Sequence, residues 1–331
     1  MIKQIRYLIS NDLNPYSNLA LEEYLLKYVK EEECILYLWQ NEKTVVIGKN
    51  QNVWKECKIR ELEEDGGKLV RRLSGGGAVF HDVGNLNFTF LVRKDNYDLN
   101  KQLEVIMKAV KNIGIVAEKT GRNDITVNGR KFSGNAFYTD GDYSYHHGTI
   151  LVSVDMNNLS KYLNVSRDKL VSKGVESVKA RVINLKEYNP DLDIDKLKQE
   201  LLIAFHEVYG CELTSIDQQE VEVSEMKALT KKYSSWDWNF GKKMEWTYSI
   251  YKRFSWGNIE FNFVVESGRI SHCTIYSDAM DTWFSEYIPN YIENCVFTSK
   301  HIIERLDKIL VDDRKRYCMQ DIKNMIYEEK L

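Results

Sequence analysis

No run of about 18 apolar residues interrupts this chain of 331, so no segment reads as a transmembrane helix. The opening stretch, MIKQIRYLISNDLNPYSNLALEEYLL, carries acids and asparagines and lacks the apolar core of a signal peptide, and cytoplasm is the expected compartment. An excess of either charge is missing too. Lys and Arg number 46 against 49 Asp and Glu, a formal net charge of -3 that argues against nucleic acid as a partner. The cysteines, at 34, 57, 211, 273, 295 and 318, form no C-x-x-C pair. Such spacing suits neither a zinc site nor a disulfide framework, and free thiols are expected. No repeat period or low-complexity tract appears. Neither common phosphate-loop pattern, G-x-x-x-x-G-K-[ST] or G-x-G-x-x-G, is present.

What is there reads as a folded protein of two domains. The chain is 43% hydrophobic and 29% charged, ordinary for a globular protein. Helical spacing follows Pro15 (Leu21, Tyr24, Leu25, Tyr28), Asn100 (Leu103 to Ile113, with Gly114 as stop), Asp195 (Leu197 to Val208, with Gly210 as stop) and Ser299 (Ile302 to Leu310). CILYLW, TVVIG, LNFTFLV and GTILVSV read as strands, and IEFNFVVESGRISHCTIY as a hairpin turning at Glu266-Ser267-Gly268. Strands occur both clustered and between helices, which predicts an α+β fold with a mixed sheet. A boundary is expected near residues 241–252, giving domains 1–244 and 251–331.

Two stretches carry the chemistry. RRLSGGGAVFHDVGN (71–85) joins two arginines to three glycines, and Ala78-Val79-Phe80 reads as a strand rather than a helix start. A phosphate held there would meet backbone amides and one arginine, since adjacent side chains on an extended segment point to opposite faces. GRNDITVNGRKFSGNAFY (121–138) sets Lys131 among glycines and an aspartate, where a compact cation can meet a phosphate or a developing oxyanion. His146 and His147 are neighbours on a strand and face opposite ways, against a two-histidine metal site. His81, beside the glycine loop, suits a structural hydrogen bond as well as any chemical role. Trp236 and Trp238 read as anchors of the domain junction rather than a ligand-stacking pair.

Taken together, these stretches with NLALEE, TVVIGKNQNVWKEC, HHGTILVSVDM, SKGVESVKARVINL, SSWDWNFGK and FSWGNIEFNFVVESGRI resemble the lipoate–protein ligase A family along almost the whole chain. The resemblance implies the fold shared with biotin–protein ligases and related to class II synthetase catalytic domains, plus a small C-terminal accessory domain. It implies a two-step reaction: lipoate and ATP give lipoyl-AMP and pyrophosphate, and the lipoyl group passes to a lysine of an acceptor. It also implies Arg72 on the ATP phosphates, Gly77, Ala78, Val79 and Phe80 along the adenylate, and Lys131 between the lipoyl carbonyl and the α-phosphate. Asn85, Asp124 and Ala136 are implied for the nucleotide, Ser74 for lipoate, and Mg²⁺ as a phosphate bridge with Asp124 as a candidate ligand. One of the two histidines, with His147 as the candidate, is expected along the acyl pocket or hydrogen-bonded in the core. Acceptors implied are the lipoyl domains of 2-oxoacid dehydrogenase E2 subunits and the glycine-cleavage H protein, and a monomer is implied.

An apolar acyl slot separates lipoate from octanoate poorly, so octanoate is an expected second substrate. The rival reading is an acyltransferase that moves octanoyl or lipoyl groups between proteins without ATP. Where such enzymes use a central cysteine, this chain has none between Cys57 and Cys211.

Overall fold

In a computed structural model, the structure describes residues 2–120, 124–164, 182–217, 220–240 and 246–331. Most of SKGVESVKARVINL, part of the 121–138 motif and part of the expected boundary lie outside them. The strands are β1 (Gln4–Ile9), β2 (Glu33–Trp39), β3 (Thr44–Ile47), β4 (Lys68–Arg71), β5 (Val79–His81), β6 (Asn85–Arg93) and β7 (Glu118–Thr120). They continue as β8 (Asp124–Val127), β9 (Arg130–Asp140), β10 (Tyr143–Leu151), β11 (Leu213–Ser215), β12 (Tyr248–Phe254), β13 (Gly257–Glu266) and β14 (Arg269–Tyr276). The longer helices are α1 (Pro15–Tyr28), α2 (Leu99–Asn112), α3 (Ile194–Tyr209), α4 (Val223–Ser234), α5 (Trp283–Ile292), α6 (Ser299–Leu306) and α7 (Asp313–Glu328).

Contacts divide the chain into two compact units: 1–47, 54–72 and 78–239 form one; 48–53, 73–77 and 240–331 form the other. The first holds an eight-stranded sheet in the order β11-β1-β2-β6-β10-β9-β8-β7, parallel where β1 meets β2 and β11 and antiparallel from β2 onward. This is the mixed sheet expected of an α+β chain. Alternation sorts its residues onto two faces. Leu36, Leu38, Phe88, Phe90 and Ile150 join Ile106 and Val110 of α2 and Leu201 and Phe205 of α3 in one buried core. Asp98 caps α2 through the Lys101 amide, and Gly210, at φ +66°, ends α3.

α1 lies on the opposite face. Pro15 opens it, where the sequence places a helix, and Asn14 caps it. Its burial differs from the expected stripe: Tyr28 is exposed, whereas Asn18, Glu22 and Glu23 are buried. An apolar period cannot reveal a helix side turned toward polar partners. A second, three-stranded sheet in the first unit has β3 between β4 (parallel) and β5 (antiparallel).

In the other unit, β12, β13 and β14 form an antiparallel sheet, with the expected hairpin turning at Ser267 (φ +50°) and Gly268 (φ +75°). Phe261, Phe263, Ile288, Ile302 and Ile322 form its core. α6 stops at Leu306, short of the expected Leu310, which is 97% exposed.

Candidate active site

β8 and β9 turn through Asn128 (φ +52°) and Gly129 (φ +74°), the Asn-Gly pair of a two-residue hairpin. Register then slips. Lys131 pairs with Thr126 but Ser133 pairs with Ile125, leaving Phe132 as an extra residue, a β-bulge. The bulge brings Lys131 and Gly134, three apart, onto the same sheet face, which strict alternation would forbid. Phe132 meanwhile joins the apolar core. Lys131 folds back over Gly134, whose missing side chain makes the room: a Cβ there would lie 2.9 Å from Lys131 Nζ and 3.0 Å from Cε. The Nζ reaches Asp124 Oδ1 at 2.7 Å. Both side chains are partly open, at 34% and 38% exposure, so lysine and carboxylate stand at the surface of the sheet rather than within it.

Two rows cross the sheet on this face. Trp39, Asn87, Thr149, Gly134 and Asp124 form one; Tyr37, Thr89, His147 and Ala136 form the next. His147 Nδ1 lies 2.8 Å from Glu22 Oε1, which also accepts from the Thr89 hydroxyl at 2.6 Å, and Thr89 accepts from Trp39 Nε1 at 3.1 Å. Glu22 is buried, so its carboxylate depends on these donors. Ala136, paired with His147 across the strands, presents only a methyl group. Asn85 Nδ2 donates to Asn87 Oδ1 at 2.9 Å, while Asn85 Oδ1 and Asn87 Nδ2, both buried, have no protein partner. Unsatisfied buried amides are costly, and a bound polar ligand relieves them. His146 faces the other way as expected. It packs on Phe88 and Phe90, contacts Asn135 Oδ1 at 2.8 Å, and burial pushes its pKa down to about 3.

The arginines separate as alternation requires. Arg71 donates through Nε to Trp238 O (3.1 Å) and through Nη2 to Asn239 O (2.7 Å), and Trp238 Nε1 donates to Arg71 O (2.8 Å). Trp238 therefore fixes its own segment to β4, whereas Trp236 is 51% exposed. Arg72 is buried, donates to Val46 O at 3.3 Å, and is lowered by that burial to about 10, still protonated at neutral pH. Val79, Phe80 and His81 form β5; Phe80 packs on Tyr162, and Ala78 is half-buried just ahead. His81 does make the structural hydrogen bond, with Asn41 at 3.3 Å.

Ser74 and Gly77 belong to the second unit. There Gly76, at φ +89°, donates its amide to Ala279 O at 3.1 Å, and a Cβ on Gly75 would meet Ala279 O at 2.3 Å and Met280 O at 2.5 Å. Part of the triple glycine thus serves close approach of two backbones rather than an anion. A Cβ on Gly77 would meet nothing within 4 Å.

A cavity of about 560 Å³ opens elsewhere, among Leu8, Ser10, Asp12, Asn18, Met226 and Lys227. No sequence-predicted site residue lines it, and Ser10 and Asn18 are bonded to each other; the sheet face is the better site. Among the described residues no three His, Cys, Asp or Glu side chains are grouped to hold a metal, and no helix is long and apolar enough to cross a membrane. Sequence reasoning missed Glu22, because an acid in NLALEE looks like helix surface. It also missed Asn87, although alternation in NLNFTF marks the 85-87-89 series.

Comparison with known proteins gives this arrangement its context. The model of the lipoyl protein ligase A/B catalytic domain matches residues 14–206, and that of the bacterial lipoate protein ligase C-terminus matches residues 243–326. A lipoate–protein ligase A of Psychrobacter cryohalolentis is 40% identical over 314 residues, 92% of this chain and 93% of that protein. The crystal structure of P. falciparum LipL1 in complex with lipoate superimposes at TM-score 0.86 and 33% identity, covering 98% of this chain and all of the other. A chain from the structural analysis of an archaeal lipoylation system, a bipartite lipoate protein ligase and its E2 lipoyl domain from Thermoplasma acidophilum, gives TM-score 0.64 at 27% identity over 74% of this chain and 99% of that one. A lipoate–protein ligase A bound with ATP gives 0.62 at 26% identity over 73% and 99%. On its sheet, its motifs and these matches, the chain belongs to the lipoyl protein ligase A/B family.

Proposed function

We propose that the protein is an ATP-dependent lipoate–protein ligase serving lipoate salvage in the cytoplasm. The observation that carries the reading is Lys131, folded over Gly134 onto the face that also bears His147, Glu22 and the unsatisfied Asn85–Asn87 pair. The ATP-bound and lipoate-bound relatives support both substrates. In this reading, residues 1–244 act as catalytic domain and 251–331 as accessory domain, in a chain acting as a monomer.

The lipoate carboxylate oxygen attacks the α-phosphorus of ATP, and the bond to pyrophosphate breaks. Two anions approach, so cations must offset their repulsion and the charge of the transition state. Arg72, protonated despite its burial, holds phosphate; Lys131 leaves Asp124 to bridge carboxylate and α-phosphate. Ala78, Val79, Phe80 and Ala136 line the adenylate, with Asn85 and the Gly77 backbone as polar contacts. Ser74 and His147 serve the lipoate side. The acyl chain gains about 0.8 kcal/mol per buried methylene, several kcal/mol over eight carbons, and octanoate gains nearly as much. Asp124, partly exposed, is the carboxylate that would hold Mg²⁺, and the ion would supply positive charge against the phosphates. In the second step the acceptor lysine amine attacks the acyl carbonyl of lipoyl-AMP and AMP leaves, with Lys131 stabilising the oxyanion. The acceptors are E2 lipoyl domains and the glycine-cleavage H protein; the archaeal lipoylation system, described as a ligase and its E2 lipoyl domain, supports the first.

Pyrophosphate release from ATP and magnesium, with lipoate, octanoate or biotin and no acceptor, tests the proposal. Release with lipoate and octanoate but not biotin is expected. No release with any acid, but acyl transfer once an octanoylated donor protein is supplied, would replace it with the ATP-independent acyltransferase. The thiols oppose that alternative: Cys34 and Cys57 are pushed up to about 12 by burial, the reverse of an activated nucleophile.

A further inference from the structure

A chain of buried amides leads to His81 and fixes where its proton sits. Asn18 Nδ2 donates to the backbone oxygens of Asp12 and Gln40, each at 2.8 Å, while its Oδ1 accepts from the Ser10 and Tyr37 hydroxyls at 2.8 and 3.0 Å. Backbone oxygens can only accept, so the orientation of Asn18 is determined. Both Asn18 hydrogens point at those oxygens, and the Asn41 atom 3.1 Å from Nδ2 is its oxygen, sharing one of them, since an amide nitrogen there would set donor against donor. The other Asn41 atom is consequently the amide nitrogen, and it points at His81 Nδ1, 3.3 Å away. A neutral imidazole that accepts at Nδ1 carries its proton at Nε2.

That Nε2 is buried and has no protein partner. The imidazole meets the Trp39 ring edge-on, with centroids 6.2 Å apart, and the charge of Arg72 is close enough to act on it. Burial first, then Arg72 and His147, push the pKa of His81 down to about 3, so the ring stays neutral. Such a donor meets an acceptor that carries no full charge, whereas phosphate has Arg72.

We infer that His81 donates from Nε2–H to the carboxyl-derived oxygen of the bound acyl group, and that Asn41, oriented by Asn18, is the positioning residue that sets this tautomer. The inference rests on the proposed ligase reading for its ligand, but not for the tautomer.

Ring-¹⁵N histidine NMR on the full chain tests both parts, with His81→Gln assigning the signal. In the ligand-free protein Nε2 should bear the proton and Nδ1 should show the shift of an unprotonated nitrogen; the reverse pattern overturns the inference, whatever the protein's activity. Lipoate should move the Nε2–H resonance and ATP with magnesium alone should not. A resonance that lipoate leaves in place, in protein that releases pyrophosphate with lipoate, overturns the contact while the ligase reading stands. Asn41→Asp supplies an acceptor to Nδ1 and should transfer the proton there, lowering kcat for lipoate-dependent pyrophosphate release on the order of tenfold or more with KM for ATP within about twofold. Asn41→Ser, milder for folding, should give mixed tautomers and an intermediate rate; an unchanged tautomer in both variants would overturn the positioning role.

Discussion

Replacing Gly134 with alanine separates the geometry of the site from the stability of the sheet. The added methyl carbon would sit 2.9 Å from Lys131 Nζ and 3.0 Å from Cε. A comfortable contact requires roughly 0.5–1 Å more, and the tip of a long, partly exposed side chain yields that at little cost. Gly134 has no left-handed backbone to strain, and an alanine in the strand restricts the unfolded chain, worth about 0.4–1 kcal/mol in its favour. Stability should therefore hold or rise slightly. The lysine, however, is pushed off its track over the sheet, and a misplacement of about 1 Å costs on the order of a hundredfold in rate. Lipoate-dependent pyrophosphate release and the thermal midpoint, read on the same preparation, check both halves. Gly148→Ala is the control: its Cβ would meet Gly134 O at 2.6 Å and Phe88 Cζ at 2.6 Å, a backbone atom and a core ring that cannot step aside. It should destabilise by about 1–3 kcal/mol or more. Near-normal release by Gly134→Ala at an unchanged midpoint would refute the role given to Lys131 and its track.

Lys131→Ala should lower lipoyl-AMP formation by orders of magnitude while moving stability by less than about 1 kcal/mol, since its ion pair is partly exposed; denaturant titration beside the adenylation assay reads both. Glu22→Ala leaves Thr89 and His147 without their buried acceptor and should cost about 2–4 kcal/mol in the same titration, whereas Glu22→Gln should cost less. Acid should weaken the fold through His81 and His146, both held near 3. Their folded pKa lies below the unfolded value of about 6.5, so between these limits the unfolded chain takes up protons that the folded chain does not. Stability is complete above about pH 6.5 and falls as pH drops, by about 2 kcal/mol per histidine at pH 5. His146→Gln should remove about half of that slope in denaturant titrations at pH 7 and 5; an unchanged slope would place the acid sensitivity elsewhere.

The helix starts, the Ser267-Gly268 hairpin and the opposition of His146 to His147 were legible because each depends on nearby residues alone. Caps, turn glycines and strand alternation act over a few positions. The Lys131 bulge was not legible, since it arises from pairing with β8, and FSGN by itself does not show which residue the partner strand will skip. Glu22 escaped for a related reason: its burial is set by Thr89 and His147, far along the chain. The glycine run was read as an anion loop, yet Gly75 and Gly76 answer to a backbone two hundred residues away. Local chemistry showed that glycine was needed there without showing what it approaches.

The bulge also bears on how such chains are recognised. With Phe132 as the unpaired residue, the three-residue step from Lys131 to Gly134 is itself a geometric specification. A pattern that tolerates a gap between the two would admit sequences in which the cation points into the apolar layer beneath the sheet. Spacing, at this point in the chain, encodes sidedness, and residue identity alone does not.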